Sequence, residues 1–187
     1  MAQSKQATIL ALSGSLRAQS YNTGLVRAAV KHNSGGAAIE VYEDLALLPM
    51  YNQDHDNATP PQEVVEWRSR VAAADGLFIV TPEHNASVPA ALKNALDWAS
   101  TEPAGGILVG KHVAVAGASP GAFGSARAQL ALRQILASIG ADVLAKPDVS
   151  VFHCHERFDA EGNLTDTFAI SLIGELVDAL SARISRS

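Results

Sequence analysis

The chain has 187 residues, enough for one compact domain over 1–187, and 48% hydrophobic against 18% charged residues favours a packed core over a disordered chain. A formal charge of -5 excludes a broad basic surface for nucleic-acid phosphates, and the one cysteine, Cys154, excludes an intrachain disulfide. No apolar run approaches a membrane span, and the opening MAQSKQATILALSGS lacks the charged stretch, apolar run and cleavage site of a secretory signal, so the expectation is a cytoplasmic protein.

In chain order, the apolar run ATILAL at 7–12 reads as a buried strand that stops at the small polar cluster Ser13-Gly14-Ser15. Behind a potential N-cap at Asn22, Leu25, Val26, Ala29 and Val30 recur at helical spacing, and Gly35-Gly36 closes the segment. Residues 38–42 alternate as a less buried strand, and LALLPMYNQDHDNATPP reads as a long loop. Thr59 and Gln62 have the spacing of a capping box, with Pro60 and Pro61 in the first turn of a helix that buries Val64, Trp67 and Val71.

A third strand, GLFIVT at 76–81, is broken by PEHNASVP before Leu92, Ala95, Leu96 and Ala99 resume the helical period. Strand HVAVAGA at 112–118 leads through SPGAFGS to a helix striped with Leu132, Ile135, Leu136 and Ile139 and ended by Gly140. A fifth strand around 142–145, with room to extend into VSVFH, precedes an amphipathic helix carrying Leu172, Ile173, Leu176, Val177 and Leu180. Strands alternating with helices imply parallel pairing under right-handed crossovers: an α/β, three-layer, doubly wound five-stranded parallel sheet. Ligands of such sheets sit beyond the carboxyl ends of the strands, which singles out loops 13–22, 82–88 and 119–125.

Loop 13–22 offers three hydroxyls, an amide side chain, the Arg17 guanidinium and backbone N–H groups at a helix start, a set suited to a phosphate dianion. A merely capped turn with a solvent-facing arginine is the competing reading on position alone. The loop has no G-x-G-x-x-G, which disfavours a dinucleotide lying across it. The near P-loop at Gly105–His112 carries His where the magnesium-binding hydroxyl belongs and precedes a strand instead of following one, so it is coincidence.

GSLRAQSYN at 14–22, ADGLFIVTPEHNASVPAALKNALDWAS at 74–100 and SPGAFGSARAQ at 119–129 together closely resemble the NAD(P)H-dependent FMN reductase family, whose fold is flavodoxin-like. By that resemblance Ser15, Arg17, Ser20 and Asn22, with the amide of Tyr21, hold the FMN phosphate. Pro82, Glu83, His84 and Asn85 border the isoalloxazine, and Ser119 and Gly121 close its other edge. The resemblance implies an enzyme that takes hydride from NADPH or NADH and reduces a small acceptor such as a free flavin, quinone, azo compound or metal ion, with ping-pong kinetics. It also implies a homodimer or homotetramer, with Met50 and Tyr51 near a neighbouring subunit's site. No catalytic triad is expected, because hydride transfer needs a stacked, dry geometry more than a protein acid or base.

His84 stands where the family usually has Tyr, so by the resemblance a smaller ring borders the flavin. It is assigned no proton-transfer role. His153 and His155 flank Cys154 on what reads as one strand face, but no second cluster lies at a metal-ligand spacing. Glu43, Asp44, Asp54 and Asp56 read as solvated loop acids, and Trp67 and Trp98 as core or interface anchors. Two rival functions keep the same scaffold: a flavodoxin-type electron carrier, and a binding module without flavin.

Overall fold

The computed structural model describes residues 6–101 and 106–187. Strands β1 (Thr8–Ser13), β2 (Ala38–Tyr42), β3 (Gly76–Val80) and β4 (His112–Ala118) alternate with helices α1 (Tyr21–Lys31), α2 (Gln62–Ala73), α3 (Ala90–Ser100) and α4 (Ala126–Ser138). Two short strands, β5 (Asp142–Val143) and β6 (Val149–Val151), then precede α5 (Thr167–Ile184). All pairings are parallel in the order β2-β1-β3-β4-β5, and β6 also pairs with β4. The expected fifth strand is therefore interrupted: β5 runs beside the start of β4 and β6 beside its end. Pro147 falls between the two, and its missing N–H cannot extend the ladder.

Period-two alternation divides the core. Ile9, Ala11, Phe78, Val80, Ala114 and Ala116 pack under α1 and α5, while Leu10, Leu12, Leu77, Ile79, Val113 and Val115 pack under α2, α3 and α4. Both tryptophans belong to the second layer: Trp67 donates to the carbonyl of Ala95 at 2.8 Å, and Trp98 to that of Pro49 at 2.7 Å. Among the described residues no helix is long and apolar enough to cross a membrane.

Several local expectations are corrected. The N-cap of α1 is Ser20, whose hydroxyl accepts from the Asn22 amide at 3.2 Å; Asn22 lies inside the helix. The capping box does not form, because Pro61 occupies the cap position with extended backbone and the Thr59 side chain turns to Asn57. The long loop contains two 3-10 turns, Asp44–Leu47 and Gln53–His55, and is pinned to α3 by Asn94, which accepts from Tyr51 N at 2.7 Å and donates to Pro49 O at 2.9 Å. Asp56 is buried against Arg68, at 2.8 Å, instead of being solvated. His153 and His155 share no strand face, since β6 stops at Val151 and a 3-10 turn spans Cys154–Glu156. Gly105 of the near P-loop lies outside the described residues; Ile107–Gly110 form a turn ahead of β4.

Candidate functional site

A cleft of about 680 Å³ opens beyond the carboxyl ends of β1, β3 and β4. It is lined by Gly14 to Arg17, Ser20 to Asn22, Pro82 to His84, Pro89 to Ala91 and Ala118 to Pro120. Ser15, Arg17, Ser20, Tyr21, Asn22, Pro82, Glu83, His84 and Ser119 are thus brought together as the sequence implied. Two predicted residues are not on this lining. Asn85 sits at the tip of a tight turn that carries it into an adjoining hollow with Ser87 and Lys93. Gly121 is drawn back towards β6, where its carbonyl accepts from His153 N at 3.4 Å, and its own amide reaches Ser119 Oγ at 3.2 Å.

Loop 14–20 has the chemistry of an anion cup. Among the described residues, the backbone amides of Leu16, Ala18, Gln19 and Tyr21 have no protein acceptor. The Arg17 guanidinium forms no ion pair among those residues and lies 5.3 Å from the Tyr21 ring centroid. The N-terminus of α1 adds its partial positive charge. This donor set fits a phosphate dianion, and Asp159 and Glu161 share only an adjoining hollow with Arg17 and residues 18–21.

Asn22 plays another part. Its side-chain amide donates to Ala118 O at 3.1 Å and accepts from Ala118 N at 2.9 Å, so it clasps α1 to the end of β4. One Nδ2 hydrogen remains uncommitted at the cleft that Asn22 lines. Gly14 donates to Val80 O at 2.8 Å and closes the base of the loop against β3. A Cβ at Gly14 would stand 3.0 Å from Leu92 Cδ2, so glycine lets this loop settle on α3.

Loop 81–89 forms the facing wall. His84 and Ser87 exchange both backbone hydrogen bonds, 3.0 and 2.9 Å, around Asn85 and Ala86 at φ 50° and 62°. Two consecutive positive φ values make this a type I′ turn, favourable for Asn and strained for Ala. Pro82, Pro89, Ala90 and Ala91 give the cleft flat apolar surfaces that suit a planar ring system.

The Glu83 carboxylate turns away from this wall. It accepts from Arg127 Nε at 2.7 Å, from Arg127 N at 3.1 Å and from Ala128 N at 3.4 Å, and pairs with the same guanidinium. Burial works to raise its pKa, but the Arg127 side chain and the α4 amides outweigh that and hold it below the ordinary range. The carboxylate is therefore committed to α4, and the backbone is the part of Glu83 left to face the cleft. Sequence reasoning missed Leu16, Pro89, Ala90 and Ala91 in the lining; for the last three, the proline and small apolar residues that open α3 were the visible signal.

Cys154 is fully buried behind the cleft, and desolvation pushes its thiol up to about 11, so it is not a poised thiolate. The His153 and His155 ring centroids lie 6.2 Å apart, at 65° to each other.

The family model for NADPH-dependent FMN reductases matches residues 7–156. An NAD(P)H-dependent FMN reductase of Pseudomonas aeruginosa is 40% identical over 178 residues, 95% of each chain. An NADPH:quinone oxidoreductase of Arabidopsis thaliana is 39% identical over 180 residues, 93% of this chain and 90% of that one. Among solved structures, the flavoenzyme NAD(P)H:acceptor oxidoreductase of Paracoccus denitrificans has a TM-score of 0.85 at 32% identity, over 96% of this chain and 98% of that one. The matched span contains all three cleft loops and the strand order that positions them, and on these grounds the chain belongs to the NADPH-dependent FMN reductase family.

Proposed function

We propose that this protein is an FMN-dependent oxidoreductase that takes electrons from NADPH or NADH and passes them to a quinone-type acceptor, both substrates using one open cleft in turn. The observation that carries the reading is a dianion cup and a flat apolar slot meeting at the β1/β3 switch point of the sheet. When bound, FMN supplies the two-electron chemistry, accepting hydride from the nicotinamide and delivering reducing equivalents to the acceptor.

The chain's own residues bind and orient. Ser15, Arg17, Ser20 and the Tyr21 amide hold the phosphate; Pro82, His84, Pro89 and Ala90 wall the ring; Ser119 closes its edge. The backbone amide of Glu83, in the wall of the cleft, is without a protein acceptor among the described residues and would be placed to stabilise negative charge on a reduced flavin without a titrating side chain. Apolar walls exclude water and fix the stacking distance, which is where the rate enhancement of hydride transfer originates.

The quinone named for the Arabidopsis relative supports a quinone-type acceptor, and an open cleft also admits free flavin, azo compounds and metal ions. Exposed Leu47 and Met50, the latter 72% accessible, support assembly into a homodimer or homotetramer of single-domain subunits. The reading places the protein in the cytoplasm.

The test is a visible spectrum of purified protein incubated with FMN and desalted, followed by anaerobic NADPH and then a benzoquinone. Retained bands that bleach and then return with quinone are expected. Retained flavin that neither NADPH nor NADH bleaches would replace this reading by the electron carrier. Absence of FMN binding by fluorescence titration would leave the flavin-free module.

A further inference from the structure

Resting on that reading, we propose that Glu83 is a positioning residue: it tethers the wall formed by loop 82–88 to the N-terminus of α4 and so sets the width of the cofactor slot. It acts through Pro82, His84 and Ser119 and does not itself touch the cofactor.

The loop's hydrogen bonds carry the inference. Thr81 N makes the last sheet bond, to Ala116 O at 2.9 Å. Beyond it the loop turns inward on itself: Thr81 Oγ1 donates to Pro82 O, and His84 and Ser87 bond each other. Among the described residues, Glu83 makes every hydrogen bond that residues 82–88 form outside their own loop. Its immediate neighbours Pro82 and His84 line the cleft, so slack at Glu83 becomes displacement of the wall.

The receiving end is built to need this carboxylate. Ser125 enters α4 in the left-handed region at φ 72° and offers no side-chain cap. Its hydroxyl instead accepts from Gln129 Nε2 at 3.2 Å. It occupies space that only Gly117 leaves free, since a Cβ there would stand 1.9 Å from Ser125 Oγ. The amides of Arg127 and Ala128 are thereby left for an outside acceptor, and the helix dipole favours an anion. Water would satisfy them equally well, but only a carboxylate from loop 82–88 also joins the two loops that flank Ser119.

The test compares Glu83→Ala, Glu83→Gln and Arg127→Ala with the unaltered protein. Readouts are FMN affinity of the apoprotein by fluorescence quenching, visible circular dichroism of the bound flavin, kcat and KM separately, and Tm. Glu83→Ala is expected to weaken FMN about tenfold, alter the flavin dichroism and lower kcat more than it raises KM, because charged hydrogen bonds at a partly buried group are lost. Glu83→Gln keeps one acceptor oxygen and recovers most of the affinity. Arg127→Ala costs less than about threefold, because the amide bonds survive it.

FMN affinity, dichroism and kcat within twofold of the unaltered protein in Glu83→Ala, whatever happens to Tm, would reduce Glu83 to a helix cap and overturn the inference. If Glu83→Ala does not fold, Glu83→Asp, one methylene shorter, is judged on the same two outcomes. Failure of the unaltered protein to bind FMN would overturn the cofactor reading itself, and this inference with it.

Discussion

Arg17 and Asn22 were assigned one role by resemblance, and their surroundings separate them. Arg17 has no carboxylate partner among the described residues and stands beside unsatisfied amides, so its charge is available to a ligand. Arg17→Ala is expected to raise the FMN dissociation constant roughly 10- to 100-fold, the worth of about 1.5–3 kcal/mol for a charge-assisted contact, and to flatten its salt dependence. Fluorescence titration at two ionic strengths checks both; an unchanged constant would remove the arginine from the cup. Asn22 spends both amide groups on Ala118, so Asn22→Leu is expected to cost about 2–4 kcal/mol in urea unfolding by leaving buried backbone groups unpaired. A cost under about 0.5 kcal/mol would mean the clasp is not formed in solution. The residue types were readable from the sequence, whereas the partner of Asn22 lies 96 positions away and that of Glu83 lies 44 away. No local pattern encodes either pairing, and a motif-based reading aims both side chains at the ligand.

At the scale of elements, buried stripes were legible and their ends were not. Ser20 and Asn22 are both acceptable caps by type, and the choice fell to Ser20 because Asn22 is needed by β4. Thr59 and Gln62 have the right spacing, but Pro60 and Pro61 hold the entering chain extended and delay the helix to Gln62. The turn at His84–Ser87 was hidden for a related reason: Ala86 at φ 62° is an unfavourable resident of a type I′ turn. Ala86→Gly is expected to raise stability by about 1 kcal/mol, the left-handed penalty it removes, detectable as a small rise in Tm. A fall in Tm would show that the ordered alanine is worth more than the strain it stores. Gly117 carries the opposite prediction. A Cβ would meet Ser125 Oγ at 1.9 Å and Thr81 O at 2.4 Å, both fixed by the sheet and α4, so Gly117→Ala is expected to destabilise by about 3 kcal/mol or more. Near-native stability in a thermal melt would mean that the entry to α4 yields easily.

Across the whole molecule, strands alternating with helices were enough for the doubly wound sheet, because parallel pairing and right-handed crossovers leave few alternatives. The order around β4 was less visible, since β5 and β6 are too short to declare themselves by periodicity. Beside opposite ends of β4 stand two carboxylates whose pKa values are held low. Glu83 is opposed by burial but stabilised by Arg127 and the α4 amides; Asp142 is likewise opposed by burial but held by Arg183 and His112. A folded-state pKa below the unfolded one contributes stability that is complete above the unfolded value and is lost as pH falls through the folded value. The unfolded values are ordinary, 4.5 and 3.8, so the loss begins near pH 5 and deepens below pH 4. Glu83→Gln and Asp142→Asn are therefore each expected to flatten the acid limb of unfolding free energy, with a smaller change for the more exposed Asp142. Because the two groups sit at opposite ends of the sheet with no shared partner, the double variant should show the sum of the two changes. Urea unfolding at intervals between pH 7 and pH 3 measures it. A Glu83→Gln limb parallel to that of the unaltered protein would mean that the carboxylate is not bound at α4 in solution, and it would weaken the tether independently of any flavin measurement.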